Sequence, residues 1–475
     1  MTSEDTTNTH LESIEEQDIT LQFRDQLAKG DGDTLAQWID TLEPDAIVHA
    51  MAHLSGEEQL LILRILDPED AADLIDDLPD EHSADLLEEI PVAEAADIVE
   101  ELDSDDRADV LAEMSEDDAE AILDEMEQEE AIEARQLLSY PSDTAGGVMV
   151  KEYVAFPLGT TVEEVLNDLR GNREEYSSYN VQYFYVIDHS GKLKGVLRLR
   201  DMVLSPPQRP IDEVMIADPD VVRVDLDLQS LQRMLEIHSY SALPIVDSSD
   251  RLLGVAIEKD VAEAARKSAN KTMLKLVGIF GGEELRSMPT LQRIGRRLPW
   301  LCLILILTVC AASVIPLFEE KLTPEMIVAL TMFLPVVAGM SGCSGNQALG
   351  LSLRELALGI VRPWDLTYVL AKEIRVSLLN GLVLGLLLCI IGYILNGDYW
   401  LGIIVGIAIM CNTVISVCIG GVLPLIVKRL KLDPATVSSP ILTMIVDASG
   451  FFLVLSLALA ILRLTGIEAG VVDPP

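Results

Sequence analysis

Between Ile62 and Met126 one short phrase returns every twelve residues: ILRIL at 62–66, LIDDL at 74–78, LLEEI at 86–90, IVEEL at 98–102, VLAEM at 110–114 and ILDEM at 122–126. Each copy sets two apolar residues, mostly two acids and a third apolar residue on about one helical turn, and most are followed by a turn former such as Pro79, Pro91 or Ser104. This repeat predicts short amphipathic helices stacked as a small solenoid, apolar stripes inward and carboxylates outward, with its hand left open. Over 150–265 the pattern changes to β-rich runs, VQYFYVID at 181–188 and ALPIVD at 242–247, alternating with helical stretches. A duplication is visible there: GVLRLRD (195–201) and GVAIEKD (254–260) each follow a strand, a polar turn and a second strand. A polar, increasingly basic stretch from Asp260 to Arg297 ends in RIGRRLPWL, and reads as a connecting helix that delivers Arg293, Arg296 and Arg297 to a membrane surface. Beyond it, the uncharged runs Leu298–Phe318, Met326–Leu353, Val376–Gly397 and Tyr399–Val427 are each long enough to cross a bilayer. A fifth run, Pro434–Leu462, is broken only by Asp447.

Charge is segregated in the same way. The formal charge is −44, with 44 acids against 5 bases over residues 1–140, 21 against 14 over 141–270 and 13 against 15 over 271–475. A single soluble domain is excluded. So is a secreted disulfide framework, since Cys302, Cys310, Cys343, Cys389, Cys411 and Cys418 all lie in or beside the apolar runs, where most read as buried small hydrophobes. The acidic front half lacks the basic patch that a nucleic-acid partner requires. Its carboxylates form either a solvated, salt-tolerant surface or a surface for divalent cations or a basic partner. The opening MTSEDTTNTHLESIEEQ has no apolar signal region, so the first 270 or so residues are expected in the cytosol. Bases cluster between spans two and three (Arg354, Arg362, Lys372, Arg375) and between four and five (Lys428, Arg429, Lys431). Acids dominate the other two loops, so five spans run from an inside N-terminus to an outside C-terminus.

Asp447 carries the most information about chemistry. An ionised carboxylate at mid-membrane costs at least about 2.5–3.5 kcal/mol and is kept mainly where it faces a bundle interior or an aqueous path. Its span also holds Ser438, Ser439, Pro440 and Thr443, and the proline frees backbone carbonyls that are expected on the same path. The second span, GMSGCSGNQALGLSLRELALG from Gly339 to Gly359, adds Gly339, Gly342, Gly345 and Gly350 for close helix contact or exposed backbone and Ser341, Ser344, Asn346 and Gln347 as neutral oxygens. One carboxylate per chain among neutral oxygens, with no histidine in the spans, suits a hard cation. Mg²⁺ retains waters and typically takes one or two carboxylates, which two Asp447 residues at a dimer axis would provide, although Mn²⁺ and Co²⁺ are not separated by this reasoning. No nucleophile–base pair or His-containing metal motif falls in the spans, and no G-x-x-x-x-G-K-[ST] is present, so neither an enzyme nor a primary pump is expected.

The duplicated region resembles a pair of CBS modules. Where such modules often place a Ser or Thr for a nucleotide, this chain has Arg198 and Ile257, so ATP binding at the pair is disfavoured. The whole order, an acidic helical front, YPSDTAGGVM at 140–149, the CBS-like pair, a linker ending in RRLPWL, a Gly/Asn/Gln-rich second span and an Asp in the fifth, resembles the MgtE family of magnesium transporters and channels. The resemblance implies an α-helical polytopic membrane protein of five transmembrane helices with a cytosolic α-solenoid N-domain and an α/β tandem CBS domain. Its expected divisions are an N-domain at 1–139, a CBS pair at 140–262, a connecting "plug" helix at 263–297 and a pore domain at 298–475. It further implies a homodimer in the cell (inner) membrane passing Mg²⁺ passively through a channel-like pore, closed by its cytosolic part when internal Mg²⁺ is high. Asp447 is assigned to hydrated Mg²⁺, with Thr443, Ser439, Asn346, Cys343 and Gly342 around the path.

Two departures stand out. The family usually reads close to GGNxGNQ, whereas this chain has Ser341-Gly342-Cys343-Ser344-Gly345-Asn346-Gln347. Cys343 is either a packing thiol, the preferred reading, or a soft ligand that loosens Mg²⁺ selection. In the sensor, Asp260 and Glu263 stay in place but Gln229, Ser239, Ser268, Lys271 and Thr272 stand where acids are expected. Lys271, with Lys267 and Arg266, is therefore expected to pair with acids across the dimer or on the N-domain and so weaken or retune Mg²⁺ gating. The competing readings are a proton-coupled divalent cation exchanger and a membrane-anchored cation sensor.

Overall fold

The computed structural model describes residues 19–173, 176, 179, 182–238, 240–279, 288 and 290–465; the acidic opening and Ser239 lie outside the described residues. The chain divides into two units, one reaching to Lys271 and one holding Thr272–Gly281 with the apolar helices from Thr290 onward.

The first unit opens with α1 (19–29). It continues through α2 (Gly32–Ile39), α3 (Pro44–His53), α4 (Gly56–Ile65), α5 (Pro68–Asp76), α6 (Asp80–Glu88), α7 (Val92–Glu101), α8 (Ser104–Glu113), α9 (Glu116–Glu125) and α10 (Gln128–Leu138). The twelve-residue period is the length of one helix plus its turn. In every copy the apolar positions are buried: Leu74, Ile75 and Leu78 in one, Ile98, Val99 and Leu102 two copies on. Helices start where the sequence supplies a cap, as at Asp67 and Ser115, whose side chains accept backbone N–H groups of the first turn. Each helix packs chiefly on the next but one, α5 on α7, α6 on α8 and α7 on α9, which keeps one continuous core through the stack. Arg107, buried on α8, donates to the carbonyls of Val99, Glu100 and Leu102 and closes the C-terminal end of α7.

Two β-α-β-β-α repeats follow. The first is β1 (Val154–Pro157), α11 (Val162–Gly171), β2 (Tyr183–Ile187), β3 (Leu193–Arg198) and α12 (Leu199–Val203), with β4 (Ile216–Ala217) added at its edge. The second is β5 (Val222–Arg223), α13 (Leu228–His238), β6 (Ala242–Val246), β7 (Leu252–Ile257) and α14 (Glu258–Leu276). In both, the first strand pairs parallel with the second and the second antiparallel with the third, with an irregularity at the same place. Asp188 and Asp247 fill equivalent turns, each accepting from the backbone two and four residues on. The duplication seen in the sequence is thus a duplication of hydrogen bonds.

The expectation of one unbroken helix over 263–297 is corrected. The helix ends at Leu276, and Gly278 takes φ +83°, where a Cβ would collide with the indole ring of Trp300. The next helix, α15 (Thr290–Ala312), begins afresh and carries Arg293, Arg296 and Arg297 in its first turns.

In the second unit, α15 leads to α16 (Pro316–Glu319), α17 (Pro324–Thr331), α18 (Leu334–Ala357), α19 (Leu366–Asn396), α20 (Tyr399–Arg429) and α21 (Pro434–Thr465). They supply five stretches long and apolar enough to cross a membrane, from Arg293–Glu319 to Pro434–Leu464. Lys372 and Arg375, read above as loop residues, lie within the opening turns of α19, because a helix can run past the apolar layer into its interface. The fourth stretch is the centre, 56% buried against 11–39% for the others, and packs on α18, α19 and α21. Glycines bring it close to α19: a Cβ on Gly385 would lie 2.7 Å from the Gly406 carbonyl oxygen. None of the six cysteines is fully buried in the single chain, which corrects their reading as core hydrophobes; Cys302, Cys310 and Cys343 are exposed.

Candidate functional site

Asp447 stands about 20 Å along α21 at 1.5 Å per residue, near the middle of the helix. Ser439 and Thr443 precede it at intervals of four and share its face, all three half-buried. Thr443 donates its hydroxyl to the Ser439 carbonyl at 3.0 Å, so that side chain is turned back on its own helix. Among the described residues Asp447 has no ion-pair or hydrogen-bond partner.

The second set lies on α18. Cys343 and Asn346 are exposed and Gly342 is half-buried; no hydrogen bond among the described residues joins any of them to α21. In one chain, therefore, Cys343 is not a packing thiol, because the face it occupies is open. A Cβ on Gly339, Gly342 or Gly350 would meet nothing within 4 Å. Gly345, on the opposite face, is different: a Cβ there would collide with Ser416 Oγ.

Sequence reasoning gave α20 no role, yet this helix holds both of the others. Asn412, Thr413 and Ser416 are completely buried. Ser416 donates to the Ser341 carbonyl at 2.6 Å, and Thr413 Oγ1 lies 3.5 Å from Ser341 Oγ, fixing α18. Asn412 donates to the Val446 carbonyl at 3.2 Å and accepts from Ser449 Oγ at 2.6 Å, fixing α21 on either side of Asp447. The signal was available, since Asn412 is the one carboxamide in the Tyr399–Val427 run.

In the first unit, Asp260 and Glu263 stand near the start of α14. Glu263 pairs with Arg266 at 3.2 Å, so Arg266, expected to reach across to other acids, is engaged on its own helix. Burial raises Asp260, Lys259 opposes this, and Glu263, Asp76 and Glu152 add to it. Around it the carboxylates of α8 crowd: Asp106 is pushed up to about 10 by burial and by Asp105 and Asp76, and Asp109 to about 6 by burial and Asp80. Crowding is not convergence: no three His, Cys, Asp or Glu side chains among the described residues come close enough to hold a metal ion.

One helical turn on, the charge inverts. Lys267 Nζ reaches Asp80 at 2.8 Å and Asp109 at 3.8 Å, and Lys271 Nζ reaches Glu113 at 2.7 Å and Glu81 at 3.3 Å. Burial alone would lower both ammonium groups, but Asp80 beside Lys267 and Glu113 beside Lys271 hold them above the ordinary lysine range. Gln229, Ser268 and Thr272 bring no carboxylate to this surface.

Residues 334–457 match the divalent cation transporter family MgtE, residues 32–143 the MgtE intracellular N domain, and residues 145–205 and 211–267 the CBS domain. The magnesium transporter MgtE of Thermus thermophilus is 33% identical over 70% of this chain and 73% of its own length, and that of Bacillus subtilis 30% over the same shares. A solved cytosolic domain of the Mg²⁺ channel MgtE in complex with ATP is 32% identical, covering 51% of this chain and 99% of its own, with a TM-score of 0.48. A helical intracellular N domain, two CBS α/β domains and a multi-pass membrane part with Mg²⁺ as transported substrate rather than cofactor make a transporter and not an enzyme: the chain belongs to the MgtE family of magnesium transporters.

Proposed function

We propose that two copies of this chain form a passive, channel-like pore for Mg²⁺ in the cell (inner) membrane, with Asp447 from each copy facing the ion through its waters. The observation that carries this is a half-buried carboxylate, unpaired among the described residues, in the middle of a membrane helix, with Ser439 and Thr443 on its face. The open face of α18 supports it. Gly339, Gly342 and Gly350 make no packing contact within one chain that would require a glycine, yet Asn346 and Cys343 share that exposed surface, which suits a partner copy and a water-filled path. Mg²⁺ keeps most of its waters, so two carboxylates and neutral oxygens suffice.

The cytosolic part regulates this pore with a weakened sensor. Lys267 and Lys271, carried on α14, hold by ion pairs the carboxylates that a divalent cation would otherwise bridge, leaving the crowd around Asp106 and Asp260 as the part still able to answer Mg²⁺. Nucleotide control is not part of the reading: Arg198 lies within 3.9 Å of Asp201, and Ile257 lines the small cleft beside Tyr185 and Val255.

The test is Mg²⁺ flux into liposomes, wild type beside Asp447→Asn, with and without millimolar Mg²⁺ on the cytosolic face. Flux lost in the variant supports the pore, and wild-type flux that is already low without cytosolic Mg²⁺ and changes only modestly when it is added supports the weakened sensor. Flux kept by Asp447→Asn refutes the pore assignment. Flux that requires a proton gradient points to the exchanger, and no flux of any divalent cation to the anchored sensor.

A further inference from the structure

We infer that Asn412 is the positioning residue for Asp447, and so sets the affinity and selectivity of the pore from a helix that does not carry the carboxylate. The inference rests on the reading of Asp447 given above. Asn412 is completely buried in the most buried span. A carboxamide there is tolerable only with both ends paired, because an unmatched amide in an apolar medium is costly. Both ends are paired, and to one short segment: Nδ2 to the carbonyl of Val446, one residue before Asp447, and Oδ1 to the hydroxyl of Ser449, two residues after it. The amide orientation is fixed by its partners, since a carbonyl only accepts. Ser449 Oγ also lies 3.2 Å from the Val446 carbonyl, so the three groups form a closed ring.

The space for this clamp is made by Gly450. A Cβ there would fall 2.9 Å from Asn412 Nδ2 and 3.6 Å from the Ala338 Cα of α18. Three helices thus meet within one turn of Asp447, and the residue next to Asn412, Thr413, with Ser416 one turn on, grips α18 at Ser341. The frame that fixes the rotation of α21 also fixes α18. A rotation of α21 by about 20° would swing a carboxylate about 6 Å from the helix axis through about 2 Å, enough to exchange a water-mediated contact for none.

The experiment is the concentration dependence of Mg²⁺ uptake by liposomes holding the full chain, with Co²⁺ competition measured beside it. Asn412→Leu removes the whole clamp at similar volume and is expected to raise the half-saturating Mg²⁺ concentration roughly tenfold and to reduce discrimination against Co²⁺. Ser449→Ala removes half and is expected to raise it roughly threefold, in keeping with single hydrogen bonds of ordinary strength. Asp447→Asn in the same series keeps the two ideas apart: if it abolishes flux while Asn412→Leu and Ser449→Ala leave half-saturation and discrimination unchanged, the pore reading stands and the positioning role is refuted. If Asp447→Asn carries normal flux, both fall. Should Asn412→Leu fail to fold, Ser449→Ala alone decides, and an unchanged half-saturation in it overturns the inference.

Discussion

Replacing both lysines of α14 with methionine should free the helical N domain from that helix unless Mg²⁺ is supplied. Lys267 is 26% exposed against Asp80 at 10%, and Lys271 is 29% exposed against Glu81 at 3%. These pairs lie between two limits: exposed pairs contribute about 0–1 kcal/mol, while breaking a fully buried pair costs about 3–5 kcal/mol. An intermediate value of about 1.5 kcal/mol per lysine makes about 3 kcal/mol for the two, a roughly hundredfold rise in the population with α6 and α8 released from α14. Hydrogen exchange of the full chain measures that population directly. Amides of α6 and α8 should exchange faster in the double variant without Mg²⁺ and regain protection at millimolar Mg²⁺, since the vacated carboxylates can then bind the cation. Lys271→Glu sharpens the test, because it adds an acid: it should gain a stronger Mg²⁺ response than wild type. If the double variant without Mg²⁺ keeps wild-type protection over residues 80–113, the lysines are not tethers and the weakened-sensor reading loses its support.

Two other outcomes follow from the same contacts. The folded state holds Asp109 at about 6, above the ordinary carboxylate value of 3.8, so it binds more protons than the unfolded chain between those values; its stabilising effect is full below pH 3.8 and is lost as pH rises through about 6. Lys267 and Lys271 stay charged throughout and add no slope, so exchange over 104–113 without divalent cations, corrected for intrinsic rate, should quicken from about pH 5 to about pH 7.5 and Mg²⁺ should flatten the rise; protection that grows with pH would contradict this. Gly420→Ala drives a Cβ into the Gly345 carbonyl oxygen and should lower the melting temperature of the membrane part by an overpacking cost of about 1–3 kcal/mol, whereas Gly342→Ala meets nothing in the single chain and should keep the melting temperature while lowering Mg²⁺ flux.

What could be read from the sequence was whatever repeats or segregates. The twelve-residue phrase became helices α4 to α9 because its period equals a three-turn helix plus a turn, and the Gly-Val…Asp pair became matching strand-and-turn units. Asp447 stood out because a lone charge in an apolar run is costly, and the structure adds that it is half-buried in the middle of α21 with no partner among the described residues. The break at Gly278 was missed, although a glycine just past a helical run is a stop signal; the close approach to Trp300, twenty-two residues on, that requires a glycine there shows only in the fold. Asn412 was missed as well, because its meaning depends on which helix lies beside it. The cysteines misled because apolar surroundings in sequence were equated with burial, and in a membrane part a residue can be apolar and outward-facing together.

A fixed cation and an exchangeable one differ in how their effect depends on concentration. A divalent ion stabilises the docked arrangement by an amount that grows with the logarithm of its concentration above Kd, and reaches about 3 kcal/mol only near a hundred times Kd. Lys267 and Lys271 contribute an amount that does not scale with Mg²⁺ concentration, because their ammonium groups are part of the chain and lie within 2.7–3.8 Å of their carboxylate partners. With that contribution constant, the remaining acids at Asp106 and Asp260 have less left to decide. The pore should then close at lower internal Mg²⁺ and over a shallower range than a lysine-free variant, and the Lys267→Met, Lys271→Met pair should shift half-closure to higher Mg²⁺ by roughly the same hundredfold that its hydrogen exchange reveals. Agreement between these two measurements would make docking of the N domain on α14 the closing step; a large change in exchange with an unmoved closing concentration would separate docking from gating altogether.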